Sequence, residues 1–436
     1  MELHMNKSII YLLTVIWCVS ICVSLVSCQK GKSNDKLYYH QSVVWGGEEN
    51  NVDGYRIPGL VISKQGTLLA FSEERPIYGD ADPKSLVVKR STNGGQSWSE
   101  NIYIERSNGE YWRQNDSKID PMDLRDKMEV WTNVAPIVDK IQGRIFFFYA
   151  LNEGKLNGQN LQRYTHVYYR YSDDDGLSWS DRREITDILN VNQSGEPNKD
   201  AQGQWYTDEN GFPCDYLGRA FHMPGPGHGI QLKDGRLLLQ VWNRKALGII
   251  DKGEIPVEDR MYGVSIIYSD DHGESWHFGS AFGHELNINE SRMVQLANGE
   301  IYFNARYVPT TPGTKNNHRV TASSKDGGIS WDNIQIDHNF PSTNHCDAGL
   351  AGWVTPAGED VLFYSKNESE EGRKNLVIRV SEDSGKSWTK RKVLDPGPAG
   401  YSDIAVSDEG IVHILYETGK NNPVYCTSID LNMLLN

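Results

Sequence analysis

Short apolar runs bounded by turn-forming residues recur along this chain, and their length and their aromatic and β-branched content are those of strands rather than helices. Six of them leave a turn glycine: Gly66 (GTLLAF), Gly143 (GRIFFFY), Gly235 (GRLLLQV), Gly299 (GEIYFNA), Gly358 (GEDVLFY) and Gly410 (GIVHILY). A second pattern, Ser-x-Asp/Asn-x-Gly-x-Ser-Trp, is interleaved with the first at Ser91 to Trp98, Ser172 to Trp179, Ser269 to Trp276, Ser324 to Trp331 and Ser381 to Trp388. Each copy follows a strand-like run such as Leu86-Val-Val-Lys-Arg or Leu376-Val-Ile-Arg-Val. In such a turn the acidic or amide side chain bonds backbone, the glycine takes a positive φ and the tryptophan plugs the space between neighbouring sheets. The Ser-Trp turn trails its glycine by 25, 29, 34, 25 and 23 residues in the first five units, room for two more strands, and the sixth unit ends in a short strand near Val424 to Ile429. Four strands per unit and six units predict an all-β chain folded as a six-bladed β-propeller, and the uneven spacing argues against a solenoid.

Composition agrees, with 41 Gly, 12 Trp and 22 Tyr among 436 residues. At 38% hydrophobic and 23% charged the chain is of globular type, neither disordered nor polytopic. Its 44 Lys and Arg against 58 Asp and Glu leave a net charge of -14, which repels nucleic acid and anionic lipid, so an anionic ligand requires a local basic pocket. Lys7, the apolar run Ile9 to Val26 and then Leu25-Val26-Ser27-Cys28 have the pattern of a bacterial lipoprotein signal; the run is long enough to span a bilayer as a retained anchor helix, but the small residue before Cys28 favours cleavage and lipidation. The expected organisation is a signal peptide over 1–27, a lipidated Cys28 with a short linker over 28–40, and one propeller domain over 41–436. Such a protein is held in the cell envelope of a bacterium, periplasmic or cell-surface, by its lipid alone. Cys18 and Cys22 leave with the signal; Cys214, Cys346 and Cys426 are odd in number and far apart, which predicts neither a disulfide framework nor a CxxC metal site.

Propeller topology sorts residues by face. With the turn glycines and Ser-Trp turns on one face, the other carries the starts of first strands, the ends of second strands and the loops between second and third strands. Nine or ten residues before a turn glycine stand Arg56, Asn133, Glu290 and Tyr401. Across the hairpins Arg75 mirrors Arg56, Arg306 mirrors Glu290 and Glu417 mirrors Tyr401, positions that are cross-strand neighbours or close to it. Loops add Asp80, Asp82 and Arg373. A single Arg or Glu at a strand end is ordinarily a solvated rim residue. Four arginines, a Glu with a Tyr and a loop Asp at one end of an axis instead make a basic pocket with acid and base groups. Arginine's planar fork binds a carboxylate bidentately and stays charged, so a carboxylate substrate is expected.

These ordered motifs resemble those of the bacterial and animal exo-sialidases (neuraminidases) over nearly the whole chain beyond the signal. Tyr55-Arg56-Ile57-Pro58 is similar to the family's Phe/Tyr-Arg-Ile-Pro motif, and the Ser-Trp turns to its Asp boxes, or BNR repeats. Glu73-Glu74-Arg75 with Asp80 resembles its Glu-x-Arg and acid/base Asp, and Asn289-Glu290 with Asn304-Ala305-Arg306 its Glu and second triad arginine. Arg373, Gly400-Tyr401-Ser402 and Leu415-Tyr416-Glu417 resemble its third arginine, nucleophile segment and bracing Glu. The resemblance implies that Arg56, Arg306 and Arg373 clamp the substrate carboxylate, that Tyr401 is the nucleophile with Glu290 as its base, and that Asp80 is the acid/base. Glu417 would brace Arg56, Asn133 would contact substrate, and Arg75 would contact a ring hydroxyl or orient Asp80. The implied protein is an exo-α-sialidase, without cofactor or metal and monomeric, that releases terminal sialic acid with retention from glycoproteins, glycolipids or oligosaccharides.

Physical reasoning agrees with the tyrosine. Most retaining glycosidases attack with a carboxylate, and sialidases are a known exception. Sialic acid carries a carboxylate on its anomeric carbon, so a second anion would be repelled, whereas a phenol paired with Glu290 attacks as a net neutral group. Asp80 must be protonated to assist the leaving oxygen, which favours mildly acidic pH, and Asp82 is the rival for that role. Two other functions compete: hydrolysis of another 2-keto acid sugar, such as deaminated sialic acid or Kdo, because the arginines read only the carboxylate, and non-catalytic glycan binding, because Asp boxes are structural. The joint presence of acid, base and nucleophile argues against binding alone.

Gly225-Pro-Gly-His-Gly229 opens an inner strand rather than a helix, which argues against a phosphate loop, and His222 and His228 lack a third ligand at metal spacing and read as pocket or packing residues. Two long connections, about Ser107 to Trp131 and Glu184 to Gly227, fall on the candidate-site face. Their Tyr111, Trp112, Trp131, Trp205, Tyr206 and Tyr216 either stack on a sugar or pin the loops.

Overall fold

A computed structural model describes residues 38–47, 49–114, 128–156, 159–160, 162–249, 252–309, 318–340 and 345–435. The expected signal peptide and Cys28 lie outside these residues. Every turn glycine of the repeat joins the first and second strands of a four-stranded antiparallel blade, and the six blades make the β-propeller. Blade 1 is Gly54–Ile62, Leu68–Arg75, Ser85–Ser91 and Ile102–Glu105, and blade 2 is Val130–Val138, Ile145–Asn152, Thr165–Ser172 and Arg183–Glu184. In blade 3 the inner strand is split into Phe221–Pro224 and Ile230–Gln231, followed by Leu237–Arg244, Gly263–Ser269 and His277–Phe282. Blade 4 is Ile288–Gln295, Ile301–Tyr307, Arg319–Ser324 and Asp332–Asp337; blade 5 is Gly349–Val354, Asp360–Asn367, Lys374–Ser381 and Lys390–Pro398. Blade 6 has Ser402–Val406, Ile411–Glu417 and Val424–Asp430, and takes its outer strand, Tyr39–Trp45, from the other end of the chain, with Tyr39 opposite Ile429 and Val43 opposite Tyr425. Strands counted forward from each glycine do not reveal this closure, and Tyr39 and His40 belong to a strand rather than to the linker.

The Asp boxes hold neighbouring blades together. In the second, Gly176 N–H donates to Ser172 Oγ at 2.8 Å, Ser178 N–H to Asp174 Oδ1 at 2.8 Å and the Ser178 hydroxyl to Asp174 Oδ2 at 2.5 Å. Gly176 sits at φ 82°, and a β-carbon on it would stand 2.3 Å from Leu69 of blade 1, so both the turn and the blade contact require glycine. Trp179 reaches Phe71 of blade 1 at 5.9 Å, and Trp276 packs edge-on against Phe148 of blade 2 at 4.7 Å. Trp98 of blade 1 donates its indole N–H to Ser42 of the closing strand at 3.0 Å.

Three inner strands bulge where they begin. Register slips between Arg56 and Gly59, between Thr132 and Ala135, and between Ile288 and Ser291. Ile57 and Asn133 take φ of 58° and 64°, an outlier for the β-branched Ile57, and bulges of this kind re-aim the side chains beside them. The first bulge also corrects the hairpin arithmetic: Arg56 lies opposite Glu73 and Arg75 opposite Gly54. Tyr401 and Glu417 do face each other, the Glu417 N–H donating to the Tyr401 carbonyl at 3.1 Å.

Candidate active site

Where the second strands end, a cavity of about 390 Å³ is lined by Arg56, Arg75, Asp80, Asn133, Glu290, Arg306, Arg373 and Tyr401, with Glu417 behind Arg56. The predicted face is the one that gathers them. Two larger hollows, of about 710 and 480 Å³, are lined by turn residues and by the other ends of the inner strands, and carry no comparable cluster of arginines and acid/base groups. Chemistry rather than size marks the site.

Tyr401 immediately precedes the inner strand of blade 6 and is 5% exposed. Its hydroxyl donates to Glu290 Oε1 at 2.5 Å and accepts from Arg306 Nη1 at 2.7 Å, while Arg306 Nη1 also makes a short contact with Glu290 Oε2. Burial pushes the phenol well above its ordinary pKa; Arg306 pulls it down and Glu290 adds to the rise. At rest it is therefore neutral, bonded to a carboxylate positioned to take its proton.

Arg56 donates from Nε and Nη2 to Glu417 Oε1 at 3.2 and 3.1 Å, and from Nη1 to Asp80 Oδ1 at 3.0 Å. Glu417 also accepts the N–H groups of Ile57 at 3.0 Å and Tyr401 at 3.2 Å, so one buried carboxylate fixes the bulge, the arginine and the tyrosine backbone. Arg75 donates to Asp80 Oδ1 at 2.8 Å, to the Tyr78 carbonyl at 2.7 Å and, through Nε, to Glu73 Oε2 at 2.8 Å. Glu73 accepts from Thr132 Oγ1 at 2.8 Å and Asn133 N–H at 2.7 Å, lacing blade 1 to blade 2. The Asn133 amide nitrogen is committed to the Pro224 carbonyl at 2.9 Å.

The Asp80 side chain is 72% exposed at the mouth of the cavity. Its partial burial raises its carboxyl, but Arg75, Arg56 and Lys84 together outweigh that effect and hold it well below the usual carboxylate range. Asp82 is bound by Lys155 Nζ at 2.7 and 2.8 Å and does not line the cavity. Arg373 donates to the His345 carbonyl at 3.2 Å, and its guanidinium carbon lies 5.0 Å from the centre of the Tyr401 ring; that of Arg56 lies at 5.4 Å.

The remaining wall was not anticipated. Asn152, Gln162, Phe221, Met223, Trp242, Arg244, Arg260 and Tyr262 form it. Arg244 lies 3.7 Å over Phe221 and donates to the Gln162 carbonyl at 3.1 Å, to Gln162 Oε1 at 3.0 Å and to the Lys245 carbonyl at 2.8 Å, while burial pushes it down to about 10. A signal for two of these residues existed: Asn152 and Arg244 stand nine residues after Gly143 and Gly235, as Arg75 does after Gly66.

Neither histidine lines the site: His222 is a buried packing residue and His228 borders the hollow of about 480 Å³. His222 Nε2 meets Asn190 Oδ1 at 3.0 Å, and His228 Nδ1 meets Asp403 at 3.0 Å in an axial ion row where Arg292 joins Asp403 at 3.1 Å and Asp347 at 2.9 Å. Tyr111, Trp112 and Trp131 are buried against one another, with Tyr111 5.1 Å from Trp112 and 5.4 Å from Trp131, and so pin their loop. Trp205 carries Lys199 on its ring at 4.2 Å, Tyr206 is exposed, and neither lines the cavity.

Six blades, five Asp boxes and an arginine-lined axial pocket define a BNR-repeat propeller. Residues 66–414 match the family described as BNR repeat-like domain, and the chain belongs to it. Within that class it is similar to a sialidase of Micromonospora viridifaciens, 30% identical over 401 residues covering 88% of this chain and 53% of that protein. A sialidase of Bacteroides fragilis is 26% identical over 388 residues, covering 85% of this chain and 61% of that protein, and human sialidase-3 is 25% identical over 423 residues, covering 84% and 86%. The chain thus spans little more than half the length of the two bacterial relatives. Among solved structures it shares its fold with Hadza microbial sialidase Hz136, at TM-score 0.67 and 24% identity over 89% of this chain and 69% of that one. The intramolecular trans-sialidase of Ruminococcus gnavus gives TM-score 0.64 and 16% identity over 90% and 98%.

Proposed function

We propose that this chain is an exo-α-sialidase that removes terminal α-linked sialic acid from glycoconjugates by a retaining mechanism. The observation that carries this reading is the Tyr401 hydroxyl held between Glu290 Oε1 at 2.5 Å and Arg306 Nη1 at 2.7 Å, beside Arg56 and Arg373. Arg56, Arg306 and Arg373 receive the carboxylate, Arg75 orients Asp80 through its bond at 2.8 Å, and Asn133 lines the pocket beside the ring. Tyr401 attacks the anomeric carbon as Glu290 takes its proton, and the glycosidic oxygen leaves with a proton from Asp80. Asp80 then takes a proton from water, whose oxygen displaces Tyr401, and the phenolate recovers its proton from Glu290.

Asp80 reaches its acid form on binding. A substrate carboxylate competes for Arg56 and places a negative charge beside Asp80, and both effects raise its pKa from the low resting position. Lipid on Cys28 would hold the enzyme, a monomer in this reading, in the bacterial envelope. The test is a panel of sialyl, deaminated-sialyl and Kdo glycosides with products read by mass. Sialic acid is the expected product, formed first as the α-anomer by proton NMR. Release from Kdo glycosides alone, or an initial β-anomer, overturns the reading.

A further inference from the structure

His345 touches two of the three arginines assigned to the carboxylate, and no motif or strand offset singles it out. Its Nδ1 lies 2.6 Å from Arg306 Nη2, and its backbone carbonyl accepts from Arg373 Nη2 at 3.2 Å. Arg306 belongs to the second strand of blade 4 and Arg373 to the loop before Lys374–Ser381 of blade 5, so the residue ties two blades together at the pocket. A guanidinium only donates, so Nδ1 is the acceptor and the ring proton sits on Nε2. The surroundings agree with a neutral ring: burial, Arg306 and Arg373 hold the imidazole down to about 3, with Lys366 a further nearby cation. The other terminal nitrogen of Arg306, Nη1, is divided between Glu290 and Tyr401, so His345 sets the direction of Nη2.

We infer that His345 is a positioning residue that holds Arg306 with its side chain and Arg373 with its main chain at the separation a substrate carboxylate requires. This rests on the sialidase reading. Arginines fixed before substrate arrives lose less freedom on binding, so His345 acts mainly on affinity. An asparagine carbonyl in the same place offers a comparable acceptor, whereas leucine fills the space without one.

The test compares wild type, His345→Leu and His345→Asn for turnover of an α-sialoside and for binding of a 2,3-unsaturated sialic acid by calorimetry, with thermal melts as the check on folding. His345→Leu is expected to raise both KM and the analogue's Kd about tenfold or more, with kcat changed less than about threefold, and His345→Asn to recover most of the loss. Wild-type-like constants in His345→Leu, or equal loss of kcat in both variants, overturn the positioning role while leaving the sialidase reading intact. A wild type that neither cleaves the sialoside nor binds the analogue overturns both.

Discussion

Arg373 is the most exposed arm of the proposed clamp. Among the described residues no carboxylate braces it as Glu417 braces Arg56, and it bonds to a main-chain carbonyl. Removing it should therefore cost binding without disturbing the fold: Arg373→Ala is expected to lower kcat/KM on an α-sialoside by roughly ten- to several-hundred-fold, about 1.5–3 kcal/mol for a charge-assisted bond and more if both prongs engage. Unchanged kinetics would remove Arg373 from the clamp. Asp80 and Tyr401 separate by leaving group. Asp80→Ala should cripple natural sialosides, whose alkoxide departs poorly without a proton, and spare much of the first step on an aryl sialoside, whereas Tyr401→Phe should impair both. Equal sensitivity of the two substrates to Asp80→Ala would move the acid role elsewhere. Residues at fixed offsets from a turn glycine were legible in the sequence because the blade repeats its geometry. His345 was not, since it sits in a connection between blades, where no repeat sets a position.

At the scale of the element, the boxes explain both what the sequence disclosed and what it withheld. Ser, Asp, Gly and Trp each have a separate physical task in the turn, so their joint spacing marked the blades. The bulges left no such trace, because the positive φ of Ile57, whose N–H is held by Glu417, follows no preference of isoleucine. The boxes also carry an acid sensitivity. Burial raises the Asp271 carboxyl, but the Ser275 hydroxyl and N–H and the Ser269 hydroxyl together outweigh this and hold it at about 2; Asp174, Asp326 and Asp383 shift the same way. With the folded value depressed, the stabilisation is present above the ordinary Asp value of about 4 and is lost as pH falls toward the folded value. Melting temperature should therefore drop over that window. Asp271→Asn is expected to fold normally at neutral pH, because Asn93 already fills this position in the first box, accepting from Ser97 N–H at 3.1 Å and donating to Ser97 Oγ at 2.8 Å. The substitution should shallow the acid slope, and a slope identical to wild type in the melts would dissociate the boxes from acid unfolding.

At the scale of the whole molecule, the ring depends on one pairing between distant parts of the chain. Deleting the residues through Trp45 removes the outer strand of blade 6, the Ser42 bond to Trp98 and the Trp45 contact with Tyr55 at 5.2 Å. The expected result is a markedly lower melting temperature and loss of activity at growth temperature, checked by calorimetry and sialoside turnover; an unaltered melt would show that the ring closes without this strand. Substitution upstream should act differently. Cys28→Ala is expected to leave an active protein that no longer partitions into detergent-extracted membranes, and persistent partitioning would exclude the lipid anchor. The repeat made the blade number legible because it is written six times, whereas closure is written once, in a seven-residue strand without a box.

That single pairing also puts a clock on assembly. About 390 residues separate Tyr39 from the end of its partner strand, and at roughly 5–20 residues per second a ribosome needs about 20–80 s to make them. Hairpins within each blade form in microseconds, so the early blades can fold long before the ring is sealed. Until the last strand emerges, the first has no edge to join. The ring therefore stays open, its early blades already formed and its first strand unpaired, until the final blade has been synthesised.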